Sequence, residues 1–327
     1  MSDQYLREQL VWACRILGMQ GHGDYTLGHV SVRDGDTVIM KRNGIGLEEV
    51  TDDALLTIDL DGNRLAGNGP VHLESVLHTS VYRARPDVHA VVHTHPLYST
   101  AFGATDAKLE MINHDAVLFY DGLAYFDKTA ELIMTPEQGE SVAAALGQKR
   151  VVIMRGHGVL VTGKTLPWVV YTALTLERVL QIQSIARSFG ELTPMSDEMA
   201  STVYQDKYRD EFIGNYWNYL IREVERAGYA PDDERARRPS ATKDAEGAGH
   251  APDDDERHGG PLLRMMWRRA RGTRRTTRGH GGPLLRMTGR SGRCARQFGR
   301  WSDACADRNP RAPFGFGRVR VAAAVWR

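Results

Sequence analysis

The chain changes character near residue 260. From Pro261 to Arg327 it carries 17 arginines, no lysine and two acids, Asp303 and Asp307, so that stretch holds +15. The formal total over 327 residues is only +1, which leaves −14 on the preceding 260 residues. The near-neutral balance is therefore the average of an acidic body and a basic appendage, and it describes neither. In the same C-terminal part Ala230-Pro-Asp-Asp-Glu-Arg recurs as Ala251-Pro-Asp-Asp-Asp-Glu-Arg, and His258-Gly-Gly-Pro-Leu-Leu-Arg-Met recurs from His280. Two imperfect copies, each too short to bury a core, do not make a solenoid. Residues 1–228 are thus expected to fold as one domain, and residues 229–327 to form a low-complexity, Arg-rich, disordered tail. The copying and the lack of lysine also resemble GC-rich coding sequence read out of frame. Arginines with Trp267, Phe298 and Trp301 offer charge and stacking to nucleic acid, but blocks of like charge are more often solvated segments, so nucleic acid is not the expected partner.

No run of 18 apolar residues occurs, and Met1-Ser2-Asp3-Gln4 lacks a basic region leading into an apolar stretch. Neither a membrane span nor a signal peptide is expected, and a cytoplasmic location is. Cys14, Cys294 and Cys305 show no CxxC pairing, which argues against a disulfide scaffold or a cysteine-rich metal site.

Leu6, Leu10, Cys14 and Leu17 recur at helical spacing behind Ser2, predicting a helix over residues 3–17. Strand signals follow at residues 30–32, 37–41, 56–60, 88–93, 116–119, 151–154 and 159–161, separated by Gly, Asp and Asn turns. Helical patterns occupy residues 73–85, 136–146, 165–189 and 203–227. Strands broken by a few long helices predict a three-layer α/β/α fold around a central, largely antiparallel sheet.

The residues richest in chemistry lie between Gly69 and Pro96. His93 and His95 are two apart on the strand that starts at Val88, so they project to one face, and Pro96 ends the pairing there. A third nitrogen ligand is expected from His157 in Arg155-Gly-His-Gly158, a turn whose glycines let the backbone approach closely. Three histidines with an open position suit a catalytic divalent site holding Zn2+, Mn2+ or Fe2+. Glu74 begins the helix after Pro70, with His78 on the same face. A carboxylate beside such an ion ligates it or moves protons.

Glu74, Tyr82-Arg-Ala-Arg-Pro-Asp-Val, His93-Thr-His-Pro and Arg155-Gly-His-Gly-Val-Leu-Val-Thr-Gly resemble, in order and spacing, the class II aldolase/adducin family over about residues 5–225. The resemblance implies a homotetramer with active sites at subunit contacts, a divalent metal on His93, His95 and His157, and Glu74 as the catalytic carboxylate. It also implies substrate contacts at Ser31, Asn43, Gly44 and His72, which stand where sugar-phosphate aldolases of the family cradle phosphate. The sequence departs from those aldolases there, reading Gly28-His29-Val30-Ser31 for a GNxS element and His72-Leu73-Glu74 for a Ser-Ser pair. Several donors to a phosphate are missing, although Asn43 and nearby amides still suit some anion. His29 puts a titratable group beside the expected metal, and catalysis and a structural role weigh equally for it. Taken one at a time, His72, His78, His89 and His114 read as structural rather than catalytic.

The same replacements resemble decarboxylases of hydroxylated aromatic or heteroaromatic carboxylates, with Glu74 and His29 handling protons, and the apolar Val71 and Leu73 suit a flat substrate. The runners-up are a retro-aldol enzyme, a non-heme iron oxygenase of secondary metabolism, and a non-catalytic adducin-like binding protein, which would lack the metal histidines. A proton donor from the C-terminal helix is expected among Tyr204, Tyr208, Tyr216 and Tyr219.

Overall fold

Ser2 opens the first helix. Its hydroxyl accepts from the Tyr5 amide at 3.3 Å, and α1 (Asp3–Leu17) turns Leu6, Leu10, Ala13, Cys14 and Leu17 inward. This computed structural model describes residues 2–231 except Tyr208, so the tail expectation falls outside the described residues from residue 232 onward. The strands are β1 (His29–Asp34), β2 (Thr37–Lys41), β3 (Leu55–Asp59), β4 (Arg64–Ala66), β5 (Ala90–Thr94), β6 (Ala124–Phe126), β7 (Val151–Met154) and β8 (Gly158–Gly163). The remaining helices are α2 (Ser75–Ala84), α3 (Leu97–Gly103), α4 (Pro136–Leu146), α5 (Leu166–Phe189), α6 (Asp197–Lys207) and α7 (Asp210–Ala227).

One sheet runs in the order β4-β3-β2-β1-β5-β8-β7-β6, and only the β6–β7 pair is parallel. Period-2 alternation splits its side chains between two cores. Val30 and Val32 of β1, Ala90 and Val92 of β5, and Val159 and Val161 of β8 pack with apolar residues of α1, α5 and α7. Val91 and Leu160 face the other way, toward Leu77, Val81 and Tyr82 of α2 and Val142 and Leu146 of α4. The result is the expected α/β/α layering, and His29, Ser31 and His93 share the α2 face by parity with Val91.

Thr135 and Gln138 cap α4 reciprocally: the Gln138 amide donates to Thr135 Oγ1 at 3.3 Å, and the Thr135 amide donates to Gln138 Oε1 at 3.0 Å. At the far end of the body Gly228 takes φ +75° as the left-handed cap of α7, where Tyr229 N donates to Val224 O at 3.0 Å.

Several expectations are corrected. Residues 116–119 form a 3-10 turn rather than a strand, started by Asn113 Oδ1 accepting from Ala116 N at 2.8 Å. All four side chains of that turn are buried, so their run lacks the alternation that separates strand from helix. The helix expected over residues 203–227 is two helices, with Arg209 extended at φ −111°, ψ 122° between them. Two strands of three residues, β4 and β6, and the short α3 went unpredicted.

Close packing of α4 on α2 depends on Gly139. A β-carbon there would lie 2.9 Å from Val76 O and would also meet Ser80 Oγ. Gly139→Ala should therefore destabilise the domain by about 1–3 kcal/mol, the usual range for overpacking. A thermal midpoint equal to that of the unmutated protein would show that the two helices are not so closely apposed.

Candidate metal centre

Strand register builds the site. His29 lies directly opposite His93 in the β1–β5 pair, and Leu160 of β8 lies opposite His93 on the other side. β5 ends at Thr94, so His95 sits just beyond it, before Pro96 and α3. His157 lies in the three-residue connection from β7 to β8. There Gly156 adopts φ +70°, and the His157 amide donates to Met154 O at 3.0 Å. Next to it Gly158 leaves room for His95: an added β-carbon would lie 2.7 Å from Thr94 O and against His95 Cδ2.

These elements bring the three histidines together. One ligand nitrogen from each of His93, His95 and His157 lies within 4.8 Å of the others, and the Nε2 atoms of His93 and His95 are 3.1 Å apart. Glu74 enters from the N-cap of α2. Its side chain makes no capping bond and points into the site instead. Oε1 accepts from the Ile133 amide at 2.9 Å and lies 3.5 Å from His157 Nε2. Oε2 lies 3.7 Å from His29 Nε2 and 3.8 Å from His93 Nε2.

Glu74 is 3% exposed. Burial pulls its carboxyl toward the neutral form, but hydrogen bonding from His157 and the Ile133 amide outweighs that and holds it below the ordinary carboxylate range. Burial pushes His93 well below the usual imidazole range and lowers His95 as well. Neutral imidazoles around an ionised carboxylate are the protonation states that a divalent cation requires of its ligands. Among the described residues the ion-pair partners of Glu74 are imidazoles alone, so the residues present fit a metal. Asp24 Oδ2 lies 3.3 Å from His95 Nδ1, the arrangement by which a carboxylate orients a ligating ring. Nδ1 of His93 and of His157 has no such partner among the described residues.

The expected substrate residues are placed unevenly. His72 packs its ring, tilted by 44°, 3.9 Å from that of His29 and accepts from Glu74 N at 3.4 Å through Nδ1; burial lowers it to about 4. Asn43 N donates to Pro70 O at 3.0 Å, which ties the Asn43–Gly44 turn to the segment carrying His72. Ser31 is fully buried behind His29, and its hydroxyl is engaged by His78 and Tyr82 rather than facing the pocket. The tyrosines expected to donate protons make their contacts elsewhere. Tyr204 bonds Arg150 before β7, Tyr216 stacks on Tyr171, and Tyr219 meets Arg222. Tyr208 lies outside the described residues. His89 and His114 are exposed.

Sequence reasoning missed Asp24, the Ile133 amide and Glu177. Glu177 of α5 accepts from Tyr98 N at 2.7 Å and Ser99 N at 2.8 Å, pinning the start of α3 just after His95. Such contacts join residues far apart in the chain and leave no local pattern.

Residues 8–184 match the class II aldolase and adducin N-terminal domain, and the chain belongs to that family. It is 29% identical over 177 residues to an L-fuculose phosphate aldolase of Methanococcus maripaludis, covering 54% of this chain and 95% of that protein. Over 124 residues, 38% of this chain, it is 31% identical to the 4-hydroxy-3-prenylphenylpyruvate oxygenase/4-hydroxy-3-prenylbenzoate synthase of Streptomyces roseochromogenus subsp. oscitans and 30% identical to decarboxylase NovR of Streptomyces niveus. Those matches span 45% and 46% of the two Streptomyces proteins. Among solved structures, an aldolase II superfamily protein from Pseudomonas syringae superposes with a TM-score of 0.64 at 27% identity, covering 70% of this chain and 96% of that one.

Gly158→Ala should push His95 out of the cluster and shift the end of β5 at Thr94. A ten- to hundredfold loss of Zn2+ affinity is expected, the scale seen when a ligand's support is disturbed. Titration with zinc and a chromophoric competitor measures it, and unchanged affinity would contradict the placement of His95.

Proposed function

We propose that the protein is a divalent-metal-dependent carbon-carbon lyase that decarboxylates a hydroxylated aromatic or heteroaromatic carboxylate. The observation that carries this reading is the ionised, buried Glu74, 3.5–3.8 Å from His29, His93 and His157. When bound at His93, His95 and His157, the metal would supply an electron sink for the pair left on carbon as the bond breaks. Glu74, held ionised, accepts the proton of the substrate hydroxyl and returns it to the carbon that loses CO2. His29 and His72 stand where phosphate-binding amide and hydroxyl groups would be needed. Both are buried, and burial above all keeps both in the neutral form, so neither imidazole offers countercharge to a phosphate dianion.

Apolar side chains flank the site in the chain. Leu73, Leu97, Leu132 and Met134 are 50–72% exposed beside His72, Pro96 and Ile133. They suit a flat substrate and contact with further copies, in keeping with the homotetramer expected for the assembly. No helix among the described residues is long and apolar enough to cross a membrane.

Hydroxylated aromatic dicarboxylates incubated with the metal-loaded protein should release CO2 without oxygen. Glu74→Gln should lose at least a hundredfold in rate, ~3 kcal/mol, as for a positioned acid/base. Iron- and oxygen-dependent turnover would favour the oxygenase reading, and cleavage of hydroxycarbonyl sugars without CO2 would favour the aldolase. A folded protein that takes up no metal and turns over none of these substrates would favour an adducin-like binding protein.

A further inference from the structure

Behind His29 the sheet and α2 enclose a row of polar side chains with no exposure. His29 Nδ1 lies 2.6 Å from His78 Nε2, Ser31 Oγ lies 2.6 Å from His78 Nδ1, and Ser31 Oγ lies 2.7 Å from Tyr82 Oη. All four residues are 0% exposed. The row follows from two periods that keep step. Residues 29 and 31 share a strand face about 6.6 Å apart, and residues 78 and 82 share a helix face about 6 Å apart.

Each contact in the row holds one proton, and the row has two possible polarities. Tyr82 decides between them. Burial pushes its phenol up, so it keeps a proton to donate, and the Val91 backbone amide already acts on its oxygen as a donor. Ser31 Oγ is the acceptor within its reach among the described residues. Ser31, having accepted, gives its own proton to His78 Nδ1. A neutral His78 then carries its N–H at Nε2 and gives it to His29 Nδ1. The remaining N–H of a neutral His29 is at Nε2.

We propose that Tyr82, Ser31 and His78 are positioning residues that lock His29 as the Nε2–H tautomer, so that it presents a hydrogen-bond donor to the pocket and no lone pair. One ligand atom from each of His29, Glu74 and His93 lies within 4.8 Å of the others, close enough to suggest a further ligand set. The tautomer removes His29 from it, because a protonated nitrogen does not ligate a metal. His29 Nε2 is buried, has no hydrogen-bond partner among the described residues, and faces Glu74 Oε2 across 3.7 Å. Its N–H is a fixed donor turned toward Glu74 Oε2. Under the decarboxylase reading, on which this last step rests, that donor orients the Glu74 carboxylate for proton transfer.

Two-bond 1H–15N spectra of the full-length, zinc-loaded protein labelled at histidine nitrogens read the tautomer directly, with His29→Asn assigning the signal. The expected pattern for His29 is a protonated Nε2 and a bare Nδ1. Tyr82→Phe, near-isosteric and checked for an unchanged fold by thermal unfolding, should move His29 to Nδ1–H or to a mixture. Ser31→Ala should do the same, and Ser31→Thr should restore the original pattern. A protonated Nδ1 in the unmutated protein, a His29 signal shifted by direct zinc ligation, or a tautomer indifferent to Tyr82→Phe would overturn the proposal. None of these readouts depends on turnover, so a failure of the decarboxylation assay leaves the tautomer result standing.

Discussion

A carboxylate buried among imidazoles is the constraint that organises this protein. Removing an ionised carboxylate from water costs several kcal/mol even after relaxation. For Glu74 the described residues return one backbone amide, from Ile133, and the edges of His29, His93 and His157. No lysine or arginine among the described residues pairs with it. Such a group persists where a positive charge joins it in the working protein, and three convergent imidazole nitrogens are the means of holding one. The choice of Glu at a helix N-cap points the same way. Asp, Ser, Thr or Asn would cap α2 better, so the position has given up capping to aim a longer side chain at the pocket.

The sheet supplies the precision. Antiparallel pairing of β1, β5 and β8 puts His29 beside His93 and brings the β7–β8 turn with His157 to the same end of the sheet. Buried struts then hold the surrounding loops. Lys41 Nζ donates to Thr26 O at 3.1 Å and to Ile45 O at 2.6 Å, joining two loops beside the site, and burial lowers its ammonium below the usual range. His22 Nδ1 lies 3.0 Å from Thr94 Oγ1, between the two strand histidines. Support of this kind holds the loops beside the histidine cluster.

What the sequence disclosed was local. Spacing by two made His93 and His95 a pair, and flanking glycines marked the His157 turn, so the histidine cluster was legible from short spacings. Period 2 also placed Ser31 on the face of His29, but parity cannot say whether a hydroxyl looks out at substrate or back at a helix. That depended on His78 and Tyr82 arriving one turn apart on α2. The split between α6 and α7 was hidden because apolar spacing continues across Arg209. β4 and β6 are too short for periodicity to register. Asp24 and Glu177 act on His95 and α3 through contacts that no window of sequence contains.

The central claim is that Glu74 and the imidazoles around it hold a divalent cation. Elemental analysis of the purified chain, after incubation with Zn2+, Mn2+ or Fe2+ and removal of excess by gel filtration, tests it most directly. The account predicts one ion per chain in the unmutated protein and near-complete loss in His93→Ala with the fold retained. A folded, unmutated chain that retains no stoichiometric ion, or a His93→Ala variant that retains it in full, would contradict it.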